Sequence, residues 1–422
     1  LGNLISLSRQ QGHKVFFLDR YLHPAPFLRE GFLQRHDIDL VGIHINTVCF
    51  RDSLQLITEL ERQRQSGKWR GKIIVGGPHV SVSPASIPDC VDHLVLGEGE
   101  TVLMDILAGH AGKRILQGER LTDLDSLPFQ PWDLFTRLPY DDFCHWMDER
   151  PVFTLNTSRG CPFNCRFCSV SSVWGRRYSC LSAPRVVAEM DFLVARHGAR
   201  GIYFREDNFT LDERRTREFC ELLLRKNAGI SWACETRVDN LSQDLITLMA
   251  RAGCKAFYLG IESGSQRILD YLNKGITIQQ IVDALTWSRA AGINAYCSLI
   301  AGVPGETIRD LLQTIRLMKR LKPFRYSFNV FVGLPDSPLY REIKESHAYE
   351  HEDDIGLLYL PGFDVKTKYF YGRESGEMVD FHFRKRTLYD VCLQAARVGK
   401  PVYRSLRKAL AKSIRGHGSD PT

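Results

Sequence analysis

No stretch of this sequence is apolar for long enough to cross a bilayer. The longest runs, such as Leu40 to Ile45 and Val330 to Leu334, fall far short of the roughly 20 residues that a spanning helix requires. Internal repeats and low-complexity tracts are missing too, which excludes solenoids, propellers and linker-like chains. There is no initiator Met and no charged-then-apolar leader; the chain opens on Leu1-Gly2-Asn3-Leu4 and reads as the middle of a fold, a fragment or a miscalled start. Disulfide staples are not needed in a chain of 422 residues, and of its twelve cysteines only Cys161, Cys165 and Cys168 cluster. The expected compartment is a reducing cytoplasm.

With 44% hydrophobic residues the chain buries one large core or two ordinary ones, and roughly two to three domains is the prior set by its length. The net charge of +7 is unevenly placed: between Arg384 and Arg415 there are ten Lys or Arg against one acid, Asp390. A basic helical tail can touch RNA, anionic lipid or an acidic partner, but a solvated helix face is the more ordinary reading. No RNA-binding motif accompanies the charge.

The first hundred residues alternate β-rich runs (Lys14 to Leu18, Leu40 to Ile45, Lys72 to Val75, His93 to Leu96) with helical stretches, an α/β pattern of parallel strands. Leu54, Ile57 and Leu60 recur at helical spacing and supply the crossover that a parallel pair needs. From about Gly112 to Arg150, Pro128, Pro131 and Pro139 lie among Trp132, Phe135 and Trp146 without a sustained period, the texture of an ordered linker. A second series then begins at Val152 to Leu155 and continues through Gly201 to Phe204, Ile230 to Cys234, Ala256 to Leu259, Asn294 to Ile300 and Tyr326 to Val332. Six strand-helix units predict an open or partial barrel. The expected organisation is an α/β domain over 1–111, a linker over 112–150, a partial barrel over 151–340, and a mainly helical C-terminal region over 341–422 with an aromatic-rich segment around Tyr369 to Tyr371.

The sharpest signal is Gly160-Cys161-Pro-Phe-Asn-Cys165-Arg-Phe-Cys168, directly after the first barrel strand, with thiols spaced by three and then two residues. Thiolates are the usual Fe–S ligands and a full set is four, so three leave one iron open to a chelating substrate. Arg159 and Arg166 favour the thiolate form. Structural zinc needs four ligands, and no C-x-x-C partner or H-x3-H pair follows to complete them.

This spacing, with Phe167 before the last cysteine and the loop placed after a strand, resembles the radical S-adenosylmethionine (SAM) superfamily. The resemblance implies a 4Fe–4S cluster on Cys161, Cys165 and Cys168 that cleaves SAM to a 5'-deoxyadenosyl radical. It further implies SAM contacts at strand ends: Glu206 or Asp207 for the amino group, Glu235 and Arg237 for ribose and carboxylate, Glu262 and Ser263 after the fourth strand, and Gly302 and Pro304 in the adenine loop Gly302-Val-Pro-Gly-Glu306. All sit on the face where barrel active sites are built.

The N-terminal region resembles the cobalamin-binding domain that precedes many members of this superfamily, through Gly12 to Asp19, Ile74-Val-Gly-Gly-Pro-His79 and Leu96-Gly-Glu-Gly-Glu100. Two departures stand out. No D-x-H-x-x-G run is present, so no histidine is named as a cobalt ligand, and His79 and His93 read as solvated loop residues. The family's first strand, which would precede Leu1, is not found.

Members with this domain pair include C-methyltransferases and the anaerobic cyclase of bacteriochlorophyll synthesis, and methylation through cobalamin is the favoured expectation. The resemblance implies a small-molecule substrate, with aromatics at Tyr369 to Tyr371, Phe381 and Phe383 permitting an apolar one such as a lipid, tetrapyrrole or natural-product intermediate. A flavodoxin or ferredoxin would supply the electron. A methylthiotransferase fails on cysteine count, since only Cys49 and Cys90 occur before residue 140. A B12-free or cyclase-type oxidoreductase and a non-catalytic cluster or cobalamin binder stay open.

Overall fold

The computed structural model describes residues 1–20, 22, 31–140, 142–331, 333–346, 364–365 and 383–384. Two parallel sheets organise it. The first has four strands in the order β1 (Leu40–His44), β2 (Lys72–Gly76), β3 (His93–Leu96) and β4 (Ile115–Gln117). Its inner strands are nearly continuous apolar runs, as expected where helices cover both faces. Ile73, Val75 and Leu94 join Ile57 and Leu60 of the helix Phe50–Gln65 in one core. Ile74 and Val95 pack on the opposite face with Val102 and Ile106 of the helix Glu100–Leu107.

The second sheet has six strands, all parallel: β5 (Val152–Leu155), β6 (Gly201–Phe204), β7 (Ser231–Thr236), β8 (Cys254–Glu262), β9 (Asn294–Ala301) and β10 (Arg325–Val330), paired in chain order. Among the described residues β5 and β10 do not pair with each other, so the barrel is partial. Outward side chains alternate with inward ones. Ile202, Phe204, Trp232, Phe257, Leu259 and Leu299 lie in the main core, while Val152, Ala233 and Ala256 face inward.

The connecting helices begin and end where side chains satisfy their free backbone groups. Ser182 caps the helix Ala183–His197, which stops at Gly198 in the left-handed region. Asp212 caps Glu213–Lys226, which stops at left-handed Asn227. Thr277 with Gln280, and Thr307 with Asp310, form reciprocal capping boxes for Ile278–Ala290 and Ile308–Leu321.

Four sequence expectations differ from this architecture. Lys14 to Leu18 forms no strand, because no neighbouring strand offers it a ladder; instead Phe16 packs on Phe32 and Phe17 on Phe135. The stretch read as linker contributes β4, whose residues pair with β3, and its end plugs the barrel. There Cys144 and Met147 pack against Val152, Ala233 and Ala256, Ser231 Oγ donates to Glu149 at 2.5 Å, and Asn294 donates to the Trp146 carbonyl at 3.3 Å. His79 and His93 are buried rather than solvated: His79 bonds Thr47 and Ser86, each at 3.1 Å, and His93 Nδ1 bonds the Lys113 carbonyl at 2.8 Å. Burial lowers the His79 pKa to about 4.

The fourth concerns the boundary near residue 340, which falls inside the helix Pro338–Glu345; that helix packs with the barrel through Leu339, Tyr340 and Ile343. Asp364–Val365 and Phe383–Arg384 pair as an antiparallel ribbon within the region read as mainly helical. The basic tail after Arg384, Tyr369 to Tyr371 and Phe381 lie outside the described residues. Among the described residues no helix is long and apolar enough to cross a membrane.

Candidate active site at the strand ends

The approach to the cysteine loop is a short ribbon in which Ser158–Arg159 pairs with Ser179–Cys180. Gly160 follows with φ +82°, and a Cβ there would meet the Arg177 carbonyl at 2.2 Å, so only glycine makes this turn. Glu206, just past β6, accepts from Thr157 Oγ1 at 2.7 Å and from Ser158 Oγ. It is buried and fixes the end of β5. Its neighbour Asp207 is exposed, and its carboxylate accepts the Gly160 N–H at 3.2 Å. The residue keeps an exposed edge, while partial burial of its carboxyl group raises the pKa from the ordinary value, a shift that the Gly160 bond opposes.

The thiol loop is clamped from the far side by the turn that closes the helix Gln266–Tyr271. Arg166 N–H donates to the Leu272 carbonyl at 2.9 Å, the Arg166 guanidinium lies 4.5 Å from the Tyr271 ring, and Asn273 donates to the Asn164 carbonyl at 2.8 Å. Leu339 N–H donates to the Arg166 carbonyl at 2.9 Å, and Arg166 pairs with Glu342. Phe167 packs against the apolar cluster that contains Ile268, Leu272 and Val303. The loop is therefore held by contacts from the chain itself.

Burial pushes the Cys168 thiol up to about 12 and raises that of Cys161. Among the described residues no three His, Cys, Asp or Glu side chains could hold a single metal ion. Three cysteines on one prearranged loop instead fit a polynuclear thiolate centre, in which each sulfur binds a different iron and ligation displaces the thiol protons.

The remaining strand-end residues sort into two groups. Arg237 is buried, with Nε and Nη2 on Asp239 at 2.9 and 2.8 Å and Nη2 also on the Lys274 carbonyl at 2.6 Å. Its carboxylate fork is thus taken by the chain itself, and Nη1 points to Cys165 Sγ at 3.5 Å. Glu262 pairs with Lys274 at 2.9 Å, both nearly inaccessible. Its φ of +65° falls at the register shift in β8, a conformation that costs a non-glycine residue on the order of 1–3 kcal/mol. A Cβ on Gly260 would meet Glu262 Oε1 at 2.6 Å. Ser263 is fully buried and bonds Thr314 at 3.2 Å.

Glu235 stays half-buried, accepting from Tyr203 OH at 2.5 Å, and burial raises its pKa. Gly302, with φ +79°, donates its N–H to Glu306 Oε2 at 2.6 Å, and Pro304 is buried beside it. Glu306 Oε1 has no partner among the described residues, and burial raises this carboxyl to about 8. Sequence reading placed Glu306 in the loop without giving it a role. It missed Lys274 and Asp239, whose only signal is proximity that the fold creates.

The glycine turns of the first sheet face the same region. Gly77 has φ +108°, and a Cβ there would meet the Ile45 carbonyl at 2.7 Å. The helix Pro78–Val82 touches Val170–Trp174, which follows the thiol loop. Glu98 is buried and bridges Arg120 and Arg159, both at 2.6 Å, while Arg159 also reaches Glu100 at 2.6 Å. The two sheets are thus joined by a buried ion network one residue before the turn into the thiol loop.

Two family models match in tandem: the B12 binding domain over residues 3–107 and the Radical SAM superfamily over residues 155–318. An uncharacterized methyltransferase of Pyrococcus horikoshii is 30% identical over 362 residues, covering 81% of this chain and 77% of its own length. The anaerobic magnesium-protoporphyrin IX monomethyl ester cyclase of Rubrivivax gelatinosus is 27% identical over 60% of this chain, and the chain spans about half (49%) of that relative. The solved structure of the radical SAM methyltransferase TsrM from Kitasatospora setae, with cobalamin and a 4Fe–4S cluster bound, superposes with a TM-score of 0.65 at 18% identity, covering 82% of this chain and 72% of that one; at this identity it speaks for the fold. With both models in series and the Pyrococcus relative aligned along most of both chains, this chain belongs to the radical SAM superfamily, an enzyme with a B12 binding domain whose cofactors are a 4Fe–4S cluster, SAM and cobalamin.

Proposed function

We propose that the enzyme is a cobalamin-dependent C-methyltransferase, with Cys161, Cys165 and Cys168 holding the cluster. The observation that carries this reading is the prearranged thiol loop, tied through Arg159 to the glutamates of the first sheet. When bound, the cluster supplies the electron that cleaves SAM, and cobalamin supplies the methyl group.

Asp207 receives the SAM amino group in this reading, because it is exposed beside the thiol loop while Glu206 is enclosed by Thr157 and Ser158. Glu235, half-open at the end of β7, is left for the ribose hydroxyls. The Gly302–Pro304 backbone lies against the adenine, its shape fixed by the Glu306 carboxyl on Gly302 N–H. Phe167 forms the apolar link between thiol loop and adenine loop through Val303. Arg237, Glu262 and Ser263 act as scaffold for these groups.

The substrate we propose is a small apolar molecule of tetrapyrrole, lipid or natural-product type, supported by the cyclase relative, whose name specifies a porphyrin ester. The electron donor is of the flavodoxin or ferredoxin kind, and the setting is the cytoplasm, in keeping with free thiols at every described cysteine. The test is anaerobic reconstitution with iron and sulfide, then dithionite and SAM, with and without methylcobalamin. S-adenosylhomocysteine that depends on cobalamin, beside 5'-deoxyadenosine that is lost in Cys165→Ala, is the expected result. Deoxyadenosine with no cobalamin dependence would instead favour a cyclase-type or B12-free reaction.

A further inference from the structure

We infer that Arg237 is a positioning residue for the cluster, donating a hydrogen bond from Nη1 to the Cys165 sulfur and thereby raising the cluster's reduction potential. The inference rests on the proposed ligation by the three cysteines and goes beyond it.

The geometry leaves this guanidinium little else to do. Nε and Nη2 are engaged by Asp239 at 2.9 and 2.8 Å, and Nη2 also by the Lys274 carbonyl at 2.6 Å. The plane rests on Phe163 of the thiol loop, 3.7 Å from guanidinium carbon to ring centroid. Nη1 then faces Cys165 Sγ at 3.5 Å, inside the range for a hydrogen bond to sulfur. Cys165 and Arg237 are both buried, with 9% and 5% exposure, so water does not screen the contact.

A planar fork fixed on three sides cannot swing away, and Asp239 holds the plane in register with the sulfur. Hydrogen bonds to cluster sulfurs are among the levers that set Fe–S potentials, because each one offsets charge that reduction adds. Reduction here moves one electron from an external one-electron donor into the cluster. No proton moves, since the guanidinium stays protonated throughout. Lys274, whose Nζ lies 5.5 Å from the Phe167 ring, places a second cation against the same loop but is neutralised by Glu262 at 2.9 Å. Among the described residues the Val170 backbone N–H also donates to a loop sulfur, Cys168 Sγ at 3.4 Å; Arg237 is therefore the charged side chain with a donor on a cysteine sulfur.

The experiment is a redox titration followed by electron paramagnetic resonance on reconstituted wild type, Arg237→Met and Arg237→Lys, with iron content and SAM affinity measured on each. In Arg237→Met with full iron content, the reduced fraction relative to oxidised at a fixed potential falls about tenfold, a shift of ~59 mV to more negative values for one electron. Arg237→Lys, which keeps a donor and a charge, recovers part of that shift. In wild type carrying 15N-arginine, the reduced cluster shows a nitrogen hyperfine coupling that disappears in Arg237→Lys.

An unchanged potential in iron-replete Arg237→Met overturns the inference, as does wild type without the nitrogen coupling. A loss of SAM affinity at unchanged potential assigns Arg237 to the SAM carboxylate instead. If Arg237→Met does not load iron, the labelled wild type decides. Wild type that takes up no iron defeats the cysteine assignment itself, an outcome distinct from an iron-loaded protein with an indifferent Arg237.

Discussion

The two parallel sheets of this chain carry carboxylates at the same kind of place, just past the C-terminal ends of strands, and use them differently. Past β3, Glu98 and Glu100 are both engaged by arginines, so this edge is a joint. Past β6, the adjacent pair Glu206 and Asp207 divides the work: one closes over Thr157 and Ser158, and the other stays exposed beside the thiol loop. The difference lies in partners, not in residue type. In the proposed reading, the acid left to meet a ligand is the one whose carboxylate is not enclosed by side-chain donors of the chain itself.

That contrast breaks most completely at the thiols. Cys165→Ala removes one of the three proposed ligands, and the expected result is loss of iron uptake and of deoxyadenosine formation to background, read by iron assay and chromatography. Next is the internal pairing of the barrel edge. Lys274→Met leaves Glu262 buried without its cation, and removing one partner of such a pair costs about 3–5 kcal/mol. Chemical denaturation of the metal-free protein measures the loss, and Glu262→Gln combined with Lys274→Met restores part of it. At the joint, Glu98→Gln weakens two ion pairs while Arg159 keeps Glu100. A loss of about 2 kcal/mol is expected from charge-assisted hydrogen bonds, with faster proteolysis between the two sheets.

A pH series sharpens the comparison at the Gly302–Glu306 loop. Burial raises the Glu306 carboxyl from 4.5 to about 8, so the folded state holds a proton there that the unfolded state has released. Stability contributed by this group is full below its unfolded pKa and declines as pH rises from about 4.5 to about 8. Glu306→Gln removes that slope, and the difference between the two denaturation midpoints across this window isolates it from other titrations.

Much of the scaffold was legible beforehand because periodicity is local. β3, β5 and β6 fall where the alternation of apolar runs and turns puts them. Lys14 to Leu18 has the composition of a strand but no ladder partner, and Ile115–Gln117 is too short to stand out from a proline-rich stretch until β3 pairs with it. The site divides in the same way. The thiol spacing and Gly302 to Pro304 are read from the chain directly. That Arg237 is occupied by Asp239, or that Glu262 is held by Lys274, twelve residues on, depends on a bulge and a tight turn that no local pattern announces. His79 illustrates the converse: a histidine beside a glycine turn is enclosed by Thr47, Ser86 and Phe50, which come from other elements.

The central claim is that Asp207, and not Glu206, is the carboxylate that meets SAM. SAM affinity of the reconstituted protein, measured for wild type, Asp207→Asn and Glu206→Gln alongside their melting temperatures, tests it most directly. The account predicts that Asp207→Asn weakens binding about tenfold, or 1.4 kcal/mol, at an unchanged melting temperature, while Glu206→Gln lowers the melting temperature and leaves the affinity of the folded protein intact. The opposite assignment, with affinity lost in Glu206→Gln and kept in Asp207→Asn, would contradict it.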